Sequence, residues 1–177
     1  RTPTKDTWTN EQFNQVDWEN LELALKNKAD MYKVWCSKQT SGFCGTRVKV
    51  GMYTGETHPD ERCPNCGRRE MAAHLMLCPD DDRTRLLIEN VDELSKWLDK
   101  DGKTDPELAY WIPKYILMQG DKSFLKMGYM STKLKSLAES QDRIGWKNFT
   151  EGHISTHFYE IQTFHLAMSS GFLNGTD

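Results

Sequence analysis

Four side chains able to bind a soft metal fall within sixteen residues of each other: Cys63, Cys66, His74 and Cys78, spaced C-x2-C-x7-H-x3-C. Two cysteines separated by two residues can share one ion from a single tight turn, and Pro64 with Gly67 supplies the turn chemistry. His74 and Cys78 stand four apart in Met71-Ala72-Ala73-His74-Leu75-Met76-Leu77-Cys78, a run of good helix formers. That spacing predicts both ligands on one helical face. Three thiolates and an imidazole make the closed tetrahedral set of a structural zinc, one Zn2+ held as cofactor. No position is left for the water that a catalytic zinc requires.

Other residues of the same types have weaker patterns. His58 is a spare ligand with poorer spacing than His74, and His153 with His157 lacks a third ligand in register. His165 falls on an apolar helix face and reads as a hydrogen-bonded core histidine. Asp80-Asp81-Asp82 lack the glycine turn and distal glutamate of a calcium loop and read instead as caps for the helix that follows. Cys36 has no adjacent base to make it a nucleophile. No P-loop, dinucleotide fingerprint, G-x-S-x-G or tuned carboxylate pair occurs, so nothing in the sequence points positively to an enzyme.

The elements that must position the metal site read as helices, giving a mainly α chain with a small C-x2-C/H-x3-C zinc knuckle and little or no sheet. Residues 1–16 form a polar N-terminal arm anchored by Trp8 and Phe13. Residues 17–54 form an N-terminal helical segment: Asp17 caps a first helix, a second runs from Ala29 to about Lys38, and the two are compatible with one bent helix. Thr46 to Tyr53 alternates like a strand, yet is short enough for a helical turn. Residues 55–80 hold the knuckle, and 81–177 a helical domain. There, Leu87, Val91, Leu94 and Leu98 make one apolar seam, with Trp97 beside it. Asp105-Pro106-Glu107 opens the next helix, with Leu108, Trp111, Ile112, Tyr115 and Ile116 on its face, and Pro113 is expected to kink or end it. A packed linker, a long helix from Ser131 weakened at Gly145, and a last helix from Ile154 to about Met168 complete the chain.

Composition narrows the setting. The chain has five cysteines, three of them in the metal motif and Cys36 and Cys44 apart from it. An odd, metal-patterned set argues for a reducing, intracellular compartment, nucleus or cytoplasm. The sequons Asn148-Phe149-Thr150 and Asn174-Gly175-Thr176 run against that argument and read as chance matches. Mean hydropathy is -0.72, and no apolar run approaches the roughly eighteen residues of a membrane span, so no membrane partner is expected. Net charge is -3, which disfavours a dedicated nucleic-acid binder, but the distribution is uneven. Residues 79–110 carry five Lys/Arg against ten Asp/Glu, whereas residues 111–150 carry seven against three. The second segment is either a solvated face or a surface for phosphate.

The block Cys63-Pro-Asn-Cys66-Gly-Arg-Arg-Glu-Met-Ala-Ala-His74-Leu-Met-Leu-Cys78-Pro resembles the zinc-binding region that follows the polymerase domain of non-LTR retrotransposon reverse transcriptases. The pattern there is C-P-x-C-G-x-x-E-x-x-x-H-h-h-x-x-C-P, and the His-to-Cys gap here is one residue shorter. Flanking stretches, Trp35 to Thr46 and Leu94 to Ile116, look similar to diatom-type reverse-transcriptase-associated chains. No polymerase motif with paired aspartates occurs, so the resemblance implies an accessory module lying beside template RNA or target DNA. On that reading Arg47, Lys49, Arg68 and Arg69 near the knuckle, with Lys126, Lys133 and Lys135, are the residues expected to touch phosphate. The alternative is a structural or protein-interaction module in which zinc only stabilises the fold. Trp8, Phe13 and Phe172 would then meet another chain or a second copy.

Overall fold

The computed structural model describes residues 8–41, 43–54 and 60–170. In chain order its helices are α1 (Asn10–Gln15), α2 (Trp18–Lys26), α3 (Asp30–Thr40), α4 (Arg47–Thr54), α5 (His74–Leu77), α6 (Asp81–Asp99), α7 (Pro106–Leu117), α8 (Thr132–Ile144), α9 (Trp146–Thr150) and α10 (Thr156–Ser169). Short 3-10 turns occupy Lys100–Gly102 and Phe124–Lys126. Among the described residues the β contacts are two isolated antiparallel bridges, Val16 with Ser155 and Arg62 with Arg69. The protein is therefore mainly α with a Cys/His cluster set into it, as the sequence predicts. Among the described residues no helix is long and apolar enough to cross a membrane.

Local chemistry starts most helices where expected. Asp17, Asp80 and Asp105 sit at the N-caps of α2, α6 and α7, their carboxylates accepting from the Asn20, Arg83 and both Glu107 and Leu108 amides. Each cap satisfies donors that the first turn leaves without partners. α2 and α3 are two helices, broken at Asn27 to Ala29, and residues 47–54 are helical, which settles both open readings of the N-terminal segment. Pro113 does not end α7: the helix runs through it to Leu117. An internal proline costs a helix about 3 kcal/mol. Trp111 and Tyr115, buried on either side of it, each contribute on the order of 2–3 kcal/mol when removed from water.

The core lies in the second half of the chain. Leu108, Trp111 and Tyr115 of α7 meet Leu134, Leu137 and Ala138 of α8, closed by Phe124, Met130, Trp146 and Phe158. The packed linker is real: Phe124 is fully buried and stacks on Tyr115 with ring centroids 4.4 Å apart. The Asp142 carboxylate of α8 accepts from the amides of Phe124 and Leu125 and so pins that 3-10 turn. α6 lies along α7 and buries Val91 and Leu98, but Trp97 is 67% exposed, off the seam it was expected to flank. α10 likewise buries Phe158 and half-buries Ile161, while Met168 at the far end of the expected seam remains exposed.

The described part of the N-terminal arm, residues 8–16, carries a helix. Thr9 and Gln12 form a reciprocal capping box that starts α1, and α1 packs on α8. The Gln12 amide donates to the Arg143 carbonyl (2.8 Å), Asp17 N–H donates to the Ile154 carbonyl (2.9 Å), and the Gln15 amide hydrogen-bonds the Ser140 hydroxyl (3.1 Å). Beneath this seam a buried polar network joins α8 to the α10 cap: the Gln141 side chain accepts from Ser155 N–H and donates to the His153 carbonyl. Trp8 and Trp18 pack edge-on against the His153 ring, at 4.7 and 5.5 Å between centroids.

Burial lowers the pKa of His153 below its ordinary 6.5, opposed only by the Asn148 carbonyl that its Nδ1 faces at 3.2 Å. The folded chain thus keeps this imidazole neutral at a pH where the unfolded chain protonates it. Below about pH 6.5 the unfolded state binds more protons, so stability should fall as pH drops from 7 through the lowered value. Urea unfolding midpoints at pH 7 and 5.5 should differ less in His153→Phe, which keeps a ring against both indoles, than in the native chain. Equal pH dependence in the two proteins would contradict this role.

Candidate metal centre

Cys63, Cys66, His74 and Cys78 are brought together, their ligand atoms all within 4.8 Å of one another. The Cys63 and Cys78 sulfurs are 3.9 Å apart, nearly twice a disulfide bond, and the Cys66 sulfur is 3.2 Å from His74 Nε2. Such a group can hold a metal ion at its centre.

Two short structures present these ligands. In the first, Gly67 N–H donates to the Cys63 carbonyl (2.9 Å) and Cys63 N–H to the Arg68 carbonyl (2.7 Å), folding Cys63 to Arg68 into a tight turn. Gly67 takes φ +72, the left-handed region where a side chain would be strained. The Arg62–Arg69 bridge and the bond from Glu70 N–H to the Glu61 carbonyl continue the turn into a minimal two-stranded ribbon. In the second, α5 is a single turn beginning at His74. The helical face expected to carry both His74 and Cys78 is not formed, because α5 ends at Leu77. Cys78 is its C-cap residue with extended backbone (φ -65, ψ 121), turned back by Pro79 and the Asp80 cap of the next helix. That extension, rather than a shared face, carries the sulfur to Cys63.

The electrostatics favour a cation. Backbone N–H groups of Cys66 and then Asn65, aimed at the Cys63 sulfur, hold its thiol down to about 6 against the opposing effect of burial. Burial first, then its Cys66 and Cys63 neighbours, push the Cys78 thiol up to about 11, although the Asp80 amide opposes this. One thiolate is thus stabilised by the backbone and further negative charge is repelled. A metal ion reverses that repulsion, because each ligand must lose its proton to donate a lone pair.

The site is tied to both halves of the molecule. The Glu70 carbonyl accepts from Val48 N–H (3.3 Å) and its carboxylate from Arg47 N–H (2.8 Å), docking the start of α4 on the ribbon and burying Val48. Gln119 at the end of α7 donates to the Met76 carbonyl of α5 (3.0 Å), and Met76 packs against the core. Sequence reasoning missed Glu70 as the residue that positions α4. Its only signal was its place four residues after Cys66.

The remaining candidates fall elsewhere. His58 lies outside the described residues, as do Phe172 and the second sequon. His153 and His157 do not converge: His157 faces Glu160 at 2.7 Å, whereas His153 is buried against the tryptophans. His165 bonds the Gly102 carbonyl at 3.0 Å, as expected, but is half-buried at the rim rather than in the core. Cys44 donates to the Gln39 side chain, away from the cluster. Asn148 of the first sequon donates its side-chain amide to the Ile144 carbonyl within the α8–α9 corner. Of the basic residues, Arg47, Lys49, Arg68 and Arg69 surround the ribbon, with Lys49 over the Phe43 ring (4.5 Å) and Arg69 paired with Glu61 (2.6 Å). Lys126 and Lys135 are exposed in the second half. Lys133 instead pairs with the buried Asp105 (2.7 Å) and approaches Glu107 (3.8 Å), so its charge is committed to the α7 cap.

Compared with protein-family models, curated proteins and solved structures, the chain matches none.

Between residues 60 and 80 only Cys63 and Cys78 are buried, so apolar packing supplies little order there and an ion held by the four ligands would supply the rest. Cys66→Ser should abolish stoichiometric metal binding and raise amide exchange across 60–80 and α4. α6 to α10, with their own core, should keep their protection. Metal analysis with hydrogen exchange reads both, and a variant that retains a full metal complement would exclude Cys66 as a ligand.

Proposed function

We propose that this chain is a zinc-stabilised helical module that binds nucleic acid through basic side chains grouped around the metal turn, the role implied by its resemblance to retroelement reverse-transcriptase accessory regions. The observation that carries the metal identity is the ligand set. Three thiolates and an imidazole select soft or borderline ions and reject magnesium or calcium, and four protein ligands suit a closed structural site. The 3.9 Å sulfur separation supports this, being near the roughly 3.8 Å edge of a tetrahedron with Zn–S bonds of about 2.3 Å. When bound, the ion cross-links turn and helix; it takes part in no reaction.

Support for nucleic acid comes from placement. Arg47, Lys49, Arg68 and Arg69 stem from two elements joined through Glu70, so the metal fixes their relative positions. Arg68 is exposed on the tight turn and Arg47 on α4. Lys126 and Lys135 add charge on the second half, and Lys133 is withdrawn from the set by its pairing. The second reading, a protein-interaction module, draws on a different observation. α2 and α3 contain no buried residue and expose Met31 (88%), Trp35 (59%), Val34 and Leu23. The aromatics first assigned to that role, Trp8 and Phe13, are instead packed on Trp18.

Protein produced with zinc available should carry a single zinc per chain and lose it as pH falls and the ligands protonate. Labelled nucleic acid should bind at low salt, with an affinity that declines linearly in log salt concentration. Arg68→Gln should weaken binding to all sequences and reduce that slope by about one. No binding at low salt, together with a stable oligomer by light scattering, would replace this reading with the second.

A further inference from the structure

α7 carries a second feature that neither the metal nor the core explains. An open groove of about 870 Å³ runs along its outer side, bounded across the way by residues 127–131. Tyr110, exposed, forms one wall, and the buried Trp111 lies behind it, their rings 4.9 Å apart and nearly perpendicular (86°). Opposite stands Tyr129, 95% exposed, a large aromatic ring that water surrounds on almost every side. Gly128 makes this approach possible: a Cβ built there would lie 2.9 Å from Cη2 of Trp111. The close crossing seats the 127–131 segment on the Trp111 edge.

The groove is lined by one acid and one base, Glu107 and Lys114, and they are engaged differently. Lys114 holds its ammonium 3.5 Å above the Tyr110 ring and 5.6 Å from that of Trp111. Among the described residues no carboxylate lies within ion-pair distance of it. A cation resting on aromatic faces is a weaker arrangement than one paired with an anion, so Lys114 is available to an incoming negative group. The groove's own acid, Glu107, is already engaged, accepting from the Ser131 hydroxyl (2.5 Å) with Lys133 3.8 Å away. The segment from 111 to 150 that supplies most of the groove is also the basic one, seven Lys/Arg against three Asp/Glu.

We propose that this groove binds a nucleotide unit: a base stacked on Tyr129, with its phosphate on Lys114 where that ammonium rests over the Tyr110 ring. Exposed aromatic rings beside unpaired lysine are the combination that recognises unpaired bases, whereas duplex stacks present no base face to them. The inference rests on the nucleic-acid reading above and narrows it to single strands. The same chemistry would also accept a free mononucleotide, and the experiment separates the two sources.

Fluorescence anisotropy with labelled oligo(dT), oligo(U) and a matched duplex would be measured for the native chain, Tyr129→Ala, Tyr129→Phe, Lys114→Gln and Arg68→Gln, with uridine monophosphate titrated separately by NMR. Tyr129 contacts almost nothing, so its variants should fold as the native chain does, which circular dichroism verifies. Tyr129→Ala should weaken single-strand binding about tenfold or more while leaving duplex binding nearly unchanged, and Tyr129→Phe should restore it. Lys114→Gln should weaken it and lower the salt slope by about one. If Arg68→Gln weakens binding but the Tyr129 and Lys114 variants bind single strands like the native chain, the groove proposal falls and the nucleic-acid reading stands. If only uridine monophosphate binds, and Tyr129→Ala abolishes it, the groove stands as a mononucleotide site and the nucleic-acid reading falls. Absence of binding by any probe overturns both.

Discussion

Three thiols and an imidazole crowded within 4.8 Å are an unfavourable arrangement for a protein to hold on its own. The backbone amides at the Cys63 turn stabilise one thiolate, but Cys78 is pushed the other way by its burial and its sulfur neighbours. Only a cation makes all four groups favourable at once. The surrounding sequence, Asp60-Glu61-Arg62 and Gly67-Arg68-Arg69-Glu70, offers no apolar alternative. With an ion in the site, its bonds would fix the placement of α4, of the arginines beside it and of α5, whereas α6 to α10 depend on Leu134, Tyr115 and their neighbours.

This division gives the protein two kinds of rigidity. In the helical half, order comes from shape: Phe124 against Tyr115, Gly128 against Trp111, and Asp142 holding the turn between them. In the metal half it comes from a few directed bonds with little buried area. The two halves meet at the Gln119–Met76 hydrogen bond, where the end of α7 reaches α5. α2 and α3 belong to neither regime, because both are formed, α2 with a side-chain cap and α3 without one, yet they bury no residue. Their helicity is local, and their apolar side chains remain available to something outside the described chain.

What the sequence disclosed follows the range over which each cause acts. The caps at Asp17, Asp80 and Asp105 and the ligand spacing of the Cys/His motif are set within a few residues, and they were legible. Even the misread arm carried its signal, since Thr9 and Gln12 spell a capping box. Its docking was hidden because the partners Arg143, Ser140 and Ile154 lie far along the chain. Periodicity found the seams of α6 and α10 but not how far each neighbour extends, so Met168 was placed on a seam that its neighbour does not reach. Lys133 looked like one basic residue among several until Asp105, distant in sequence and buried, was found beside it. The Tyr129 groove was illegible for the same reason, being assembled by one glycine crossing one indole.

The seam between α1 and the α8–α10 region carries a consequence for synthesis. Gln12 bonds a carbonyl 131 residues away, and Val16 pairs with Ser155. During translation α1 to α4 therefore leave the ribosome long before the surface that receives α1 exists, and the metal turn follows while the main core is still missing. A growing chain in that state holds exposed tryptophans and thiols for the time taken to make its second half. Early capture of an ion by Cys63, Cys66, His74 and Cys78 would give the nascent chain its first fixed tertiary structure, well before the helical core closes around Tyr115.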